Sequence, residues 1–139
     1  MTARCSLSVA LATFCAIHFA VGADDPDVFL QSRNFADFKW VWAIKQSRAS
    51  ALPKWDPLVG EAPVSPHQAI MAGREFLKSR LGIDAPNFIN VVLYSIGDGA
   101  WAYTIHFDAK TSTEDEQVLL DVWILMDGKV VVPVKQSVK

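Results

Sequence analysis

Three side chains with catalytic potential fall on predicted strands in the C-terminal half of the chain: Tyr94, His106 and Asp121. The predicted strand alignment places them on one sheet face, with Asp121 on the strand next to His106 and diagonal to it. A carboxylate near an imidazole favours the charged histidine and can orient it as a base. Only Thr104 offers a hydroxyl nearby, so the residues favour a solvated polar face. A small enzyme using His106 and Asp121 is the less favoured alternative.

Metal and cofactor sites are not predicted. Glycine-rich nucleotide-binding motifs, the HExxH zinc motif, the GxSxG nucleophile motif and CxxC are all absent from the sequence. His67 falls in the first turn of a predicted helix, far along the chain from His106, which gives no zinc-ligand spacing. The sequence therefore predicts a non-enzymatic protein without metal or cofactor.

Residues 1–23 are predicted to be a signal peptide. Arg4 provides a positive start, an apolar run covers Leu7 to Val21, and small residues precede Asp24. This segment predicts export to the periplasm or the extracellular space, without membrane insertion after cleavage. It also contains both cysteines, Cys5 and Cys15, so no disulfide is predicted in the mature chain.

The charge balance argues against nucleic acid or an anionic membrane as partner. The formal net charge is −2, and the lysines and arginines are not clustered. The 139 residues allow one domain with a core of its own. After the signal peptide, residues 24–63 are predicted to form an aromatic N-terminal segment with a proline-rich connector, and residues 64–139 a helix followed by a meander of strands.

The clearest local pattern begins at Ser65. Serine, proline and then Gln68 form a capping box at a helix start, an apolar stripe follows, and Gly82 ends the helix, which predicts an amphipathic helix over 66–81. Upstream, alternating aromatic residues predict a strand over 38–45, while 24–31 is predicted to be a loose start.

Strand patterns after the helix predict an α+β fold, with one amphipathic helix packed on a four-stranded or possibly five-stranded antiparallel sheet. Asp127-Gly128 predicts a two-residue type I′ turn in the last hairpin. That turn would place Ile124 opposite Val131 and Trp123 opposite Val132. Pro133, which lacks an N–H donor, makes the last strand, over 129–134, an edge strand.

The sheet face away from the helix is the predicted binding surface. In the predicted register it carries four apolar residues of the last hairpin: Trp123, Leu125, Val130 and Val132. Trp55 in the connector is a further candidate. Two alternatives remain open for this face: residues 38–44 cover it, or it binds a protein or peptide partner or a second copy of the chain in a homodimer. A partner could also add a strand at the exposed sheet edge.

Short motifs resemble the PepSY and PepSY-like group of small exported domains. They are the helix start with Ser65 and Ala69, a strand with Tyr103 and Ile105, and the hairpin Asp127-Gly128-Lys129-Val130. The resemblance implies a cystatin-like fold, no catalytic residues, and binding or restraint of partners such as peptidases. The aromatic N-terminal segment and the connector depart from that pattern.

Overall fold

The computed structural model describes residues 24–35, 37–110 and 117–138, so the predicted signal peptide, residues 1–23, lies outside the described residues. The elements in chain order are β1 (Asp27–Asn34), β2 (Phe38–Lys45), α1 (Gln46–Ala51), α2 (Pro66–Leu81), β3 (Asn87–Gly97), β4 (Ala100–Lys110), β5 (Gln117–Leu125), β6 (Val130–Val131) and β7 (Val134–Ser137). The predicted α+β class is confirmed. Within the described residues, no helix is long and apolar enough to cross a membrane.

Two antiparallel sheets build the domain, where the sequence predicted one. β3, β4, β5 and β6 form a four-stranded sheet in that order, and β1, β2 and β7 form a three-stranded sheet. Helix α2 packs against one face of the four-stranded sheet, which we call the inner face. The three-stranded sheet packs against the opposite face, which we call the outer face, and it contributes Trp42 and Ile44 to a buried cluster with Trp123 and Leu125.

Helix α2 begins and ends as predicted. The Ser65 hydroxyl accepts a hydrogen bond from the Gln68 backbone N–H at 3.2 Å, and the Gln68 side chain accepts one from the Ser65 N–H at 2.9 Å. This reciprocal cap satisfies donors that the first turn leaves unpaired and contributes about 1 kcal/mol. Gly82 ends the helix with φ of 67°, a left-handed conformation that glycine adopts without steric cost.

The inner face carries the buried layer between α2 and the four-stranded sheet. Ala69 and Leu77 of α2 pack with Met126 in the loop after β5 and with a row of residues from β4 and β5: Tyr103, Ile105, Phe107, Val122 and Ile124. At Gly73 the helix approaches the sheet so closely that an added Cβ would lie 3.1 Å from the Phe107 ring. For β4, and for β5 from Leu120 onward, the prediction of which residues face the helix is confirmed.

The connector between α1 and α2 is anchored to β4 and to the turn before it by three hydrogen bonds. The Trp101 indole donates to the Trp55 carbonyl at 2.8 Å, and the Trp55 N–H donates to the Gly99 carbonyl at 3.1 Å. The Tyr103 hydroxyl donates to the Val64 carbonyl at 3.1 Å. Burial raises the pKa of Tyr103, which keeps the phenol protonated and able to donate.

The hairpin between β3 and β4 turns through Asp98-Gly99, with φ of 49° and 71°, the positive values of a type I′ turn. Ser95 lies opposite Trp101 as predicted. Phe107, predicted to lie opposite Val118, lies opposite Leu120. That prediction was wrong by two residues, and because side chains alternate with a period of two, the faces are unchanged.

The last hairpin differs from the prediction by one residue. Asp127 lacks the positive φ that a type I′ turn requires, and only Gly128 is left-handed, with φ of 79°. The Gly128 N–H donates to the Leu125 carbonyl at 2.9 Å, and the Leu125 N–H donates to the Lys129 carbonyl at 3.0 Å. The result is a three-residue loop, a type I turn followed by a glycine bulge.

The extra loop residue reverses the faces of β6. Trp123 lies opposite Val131 and Ile124 lies opposite Val130, where the prediction had Val132 and Val131. Val131 therefore joins the outer face and Val130 packs with the inner cluster. A register change of one residue exchanges the two faces of a strand, so the predicted membership of β6 was wrong.

The chain leaves the four-stranded sheet at Pro133. The predicted edge strand over 129–134 is only the two residues of β6, after which β7 pairs with β2 of the other sheet. In the register of β6, Pro133 would lie opposite Asp121 and would have no N–H to donate to it. The ladder therefore stops there, and β6 is an edge strand as predicted but a very short one.

The N-terminal segment is part of the fold. The predicted strand over 38–45 is confirmed as β2, but the predicted loose start is wrong, because most of it lies in β1. A register shift between Phe29 and Gln31 places both Leu30 and Gln31 towards the protein. This bulge interrupts the alternation of buried and exposed residues, so the sequence pattern does not indicate a strand. Helix α1, for which no element was predicted, packs Ala49 into the outer cluster.

Candidate binding site

The predicted binding face is covered by the chain itself. Trp123 is 4% exposed and Leu125 0% exposed, and both pack with Trp42, Ile44 and Leu52. Of the two alternatives left open by the sequence, the structure has the first: β2 covers the outer face. Neither Trp123 nor Leu125 is accessible to a partner in this fold.

The other three predicted binding residues lie apart. Val130 packs with the inner cluster, Val132 is exposed where the chain crosses between the sheets, and Trp55 is half-buried on the connector. The Trp55 ring meets the Trp101 ring edge to face, with centroids 6.1 Å apart. The structure therefore does not gather the predicted residues into one surface, and only Val132 presents its side chain to solvent.

A polar network lies on the outer face around Asp121. The Asp121 Oδ2 accepts hydrogen bonds from Gln31 at 3.1 Å and from Arg33 at 3.3 Å, and the Asp121 Oδ1 lies 2.7 Å from the His106 Nδ1. The Asp121 side chain is 8% exposed, and His106 lies directly opposite it on β4. The predicted diagonal placement was wrong, because the register of β4 and β5 differs by two residues from the predicted one.

The network attaches β1 to the four-stranded sheet. Gln31 also accepts a hydrogen bond from the Trp123 indole at 2.7 Å, and Arg33 donates to the Leu119 carbonyl at 2.9 Å. Each of these contacts joins residues about ninety positions apart. The contact with Gln31 also satisfies the Trp123 indole N–H, which would otherwise be costly to bury. The arrangement is that of a structural clamp between β1 and β5.

The chemistry available to His106 is limited by its neighbours. Its Nδ1 faces Asp121, which leaves Nε2 as the one ring nitrogen that could accept a proton from a substrate. Thr104 is buried with its hydroxyl unpaired among the described residues, so it is not presented to a substrate. The Tyr94 ring contacts the Trp123 ring, with centroids 5.4 Å apart and the ring planes tilted by 31°.

An apolar groove with a volume of about 410 Å³ lies at the free edge of β5. We call it the β5 groove. One wall is the C-terminal half of α2, the other is β2, and the floor is the edge of β5. The lining residues are Arg33, Phe35, Trp40, Trp42, Phe76, Leu77, Arg80, Leu81, Val118, Leu119, Leu120, Asp121, Val132 and Pro133. Its volume lies within the range of natural ligand sites.

The edge of β5 is unpaired along the groove because β6 pairs only with Trp123 and Ile124. Leu125 directs its N–H and C=O towards β6, and these groups alternate along a strand. Asp121 and Leu119 therefore direct their backbone groups towards the same edge, where no strand of the described residues pairs with them. Of these groups, the Leu119 carbonyl is taken by the Arg33 side chain.

Exposed apolar side chains surround the groove. Four lining residues are exposed despite their large apolar side chains: Phe35, Leu81, Leu119 and Val132. Single exposed apolar residues are common, but several around one concavity are typical of a binding site. Sequence reasoning missed the groove because its walls come from five separate segments, and the only local signal was Pro133, which ends the pairing of β5.

The fold defines this protein as an α+β domain. Its four-stranded antiparallel sheet lies between one main helix and a second sheet. Among the described residues, no group of three or more His, Cys, Asp or Glu side chains could hold a metal ion. No protein family model, curated protein or solved structure matches the chain.

Proposed function

We propose that this protein is an exported, non-enzymatic binding domain, and that it binds an extended peptide segment of a partner protein in the β5 groove. The observation that carries the proposal is the unpaired edge of β5 at the floor of an apolar groove. An extended segment would add a strand to this edge and satisfy backbone groups of Asp121 and Leu119. Strand addition is a common mode of peptide recognition.

The walls of the groove determine which types of side chain a bound segment would carry. In an added strand, successive side chains would point alternately towards α2 and towards β2. The first set would meet Phe76 and Leu77, and the second would meet Trp40 and Trp42. Both sets face apolar walls, so the bound segment is apolar on both faces.

Polar groups at the groove favour an acidic residue in the same segment. Arg80 lines the groove, whereas the charges of Arg33 and Asp121, which also line it, are already paired with each other.

Selection from a phage-displayed library of random decapeptides tests the proposal. We expect selected peptides to be apolar at successive positions and to carry one acidic residue. Leu119→Lys should weaken their binding at least tenfold, because it places a long charged side chain across the groove. Bound peptide should also slow hydrogen exchange of the Asp121 amide, which faces the free edge, but not that of Leu120, which faces β4.

Met71→Lys is the matched control. Met71 and Leu119 are both 49% exposed, but Met71 does not line the groove. Peptides that bind Leu119→Lys and Val132→Lys as tightly as the parent protein would overturn the proposal. Selection of no peptide, together with binding of a fluorescent long-chain fatty acid that Leu119→Lys abolishes, would assign the groove to a lipid.

An enzyme acting through His106 and Asp121 is the second candidate, favoured by the 2.7 Å contact between them. The same carboxylate is also engaged by Arg33 and Gln31, which favours a structural role. Titration with candidate small substrates distinguishes the two, and we expect no turnover.

The likeness to PepSY-like domains remains a prediction and is compatible with this proposal. In that case the bound segment would belong to an exported protein such as a peptidase.

A further inference from the structure

β3 is the edge strand of the four-stranded sheet on the side away from the β5 groove, and among the described strands it pairs only with β4. Its eleven residues, NFINVVLYSIG, include no charged residue and no proline. The strand is about 35 Å long at the usual rise per residue. Phe88, Ile89 and Tyr94 are exposed along it. A long apolar edge without protection is a site for pairing with another strand.

Apart from the part of β5 that lies open in the β5 groove, the other sheet edges of the described residues are protected. β1 carries Asp27 and Arg33 and contains a bulge, and β7 is four residues long and carries Lys135. β6 has two residues and stops before Pro133. Charge, shortness, bulges and proline are the devices that keep edges from pairing. On β3, register shifts occur only near the two ends. The stretch 90–95 is therefore regular, and its outer edge is available for pairing.

We infer that two copies of this chain pair antiparallel through β3, which joins their four-stranded sheets into one continuous sheet. A two-fold axis perpendicular to the sheet places equivalent faces on the same side, so inward residues meet inward residues and outward residues meet outward ones. Val91 and Leu93 pack with the inner cluster, and Val92 and Tyr94 lie on the other face. Apolar residues therefore meet on both faces, and no like charges oppose each other.

A second copy fits this edge better than an unrelated strand because every copy offers the same uncharged edge at the same concentration. The pairing also uses a surface separate from the β5 groove, on the far side of β4. It therefore does not depend on the proposed peptide binding.

Sedimentation velocity over a concentration series tests the inference. We expect the parent protein to shift from monomer to dimer as concentration rises, and the double variant Asn90→Lys/Tyr94→Lys to stay monomeric at every concentration. Four lysines would then lie close together across the axis. Because Tyr94 also contacts Trp123, Asn90→Lys alone is a second variant, with an expected weakening of dimerisation of at least tenfold.

Phe29→Lys on the β1 edge is the matched control, and it should dimerise like the parent. Leu119→Lys in the β5 groove should also leave the dimer intact. A parent protein that stays monomeric over the series would overturn the inference. So would a dimer that survives the β3 substitutions or is lost in Leu119→Lys, because that result places the contact elsewhere.

Discussion

Trp123→Lys is expected to lower the free energy of unfolding by at least about 3 to 5 kcal/mol, a large share of the total for a domain of this size. The Trp123 side chain is 4% exposed, packs against Trp42 and donates to Gln31. Lysine would lose this packing and place an unpaired charge between the two sheets. Equilibrium unfolding in urea, followed by circular dichroism, measures the change.

Val132→Lys is the control for Trp123→Lys, because Val132 belongs to the same predicted surface but is exposed in the structure. Its effect on unfolding should be within about 0.5 kcal/mol, as for most surface substitutions. A Trp123→Lys protein that unfolds at the same urea concentration as the parent would show that the outer face is open.

Asp121→Ala is expected to destabilise the fold by about 3 kcal/mol. The substitution removes the carboxylate that Gln31, Arg33 and His106 share, and leaves those polar groups facing a largely buried position. Asp121→Asn keeps an acceptor and should cost less. Thermal and urea unfolding of both variants, repeated in 0.5 M salt, measures the difference, and burial should make the loss persist at high salt.

Asp27→Ala provides the comparison for an exposed ion pair. Asp27 lies 2.9 Å from Lys45, but both side chains are more than half exposed. Such pairs contribute about 0 to 1 kcal/mol, so this variant should unfold nearly like the parent. Equal losses for Asp121→Ala and Asp27→Ala would contradict the structural role of the Asp121 network.

Local patterns predicted the elements well where the chain's own neighbours determine the conformation. The capping box at Ser65 and the glycine stop at Gly82 define α2, and the aromatic alternation defines β2. β1 could not be found in this way, because its bulge places two consecutive residues, Leu30 and Gln31, on the same side.

Register was the main limit of the sequence analysis. Asp-Gly is compatible with a two-residue turn and with a three-residue loop, and the two differ by one residue. That difference moved Val130 to the inner face and Val131 to the outer face. The β5 groove depends on this register and on the point where β6 ends, so no local pattern could have predicted it.

The pairing of β2 with β7 has a consequence for the order of folding. Phe38 lies opposite Ser137, near the other end of the described chain, whereas β3, β4 and β5 are joined in sequence. Pairing β2 with β7 closes a loop that contains α2 and the meander, which is entropically costly. We therefore expect the meander and α2 to form first and the three-stranded sheet last. Pulse-labelled hydrogen exchange should show protection of Ile105 before Trp42, and the reverse order would contradict this. Until the three-stranded sheet docks, the outer face of the meander remains exposed, and the nascent protein would be most prone to aggregate in that interval.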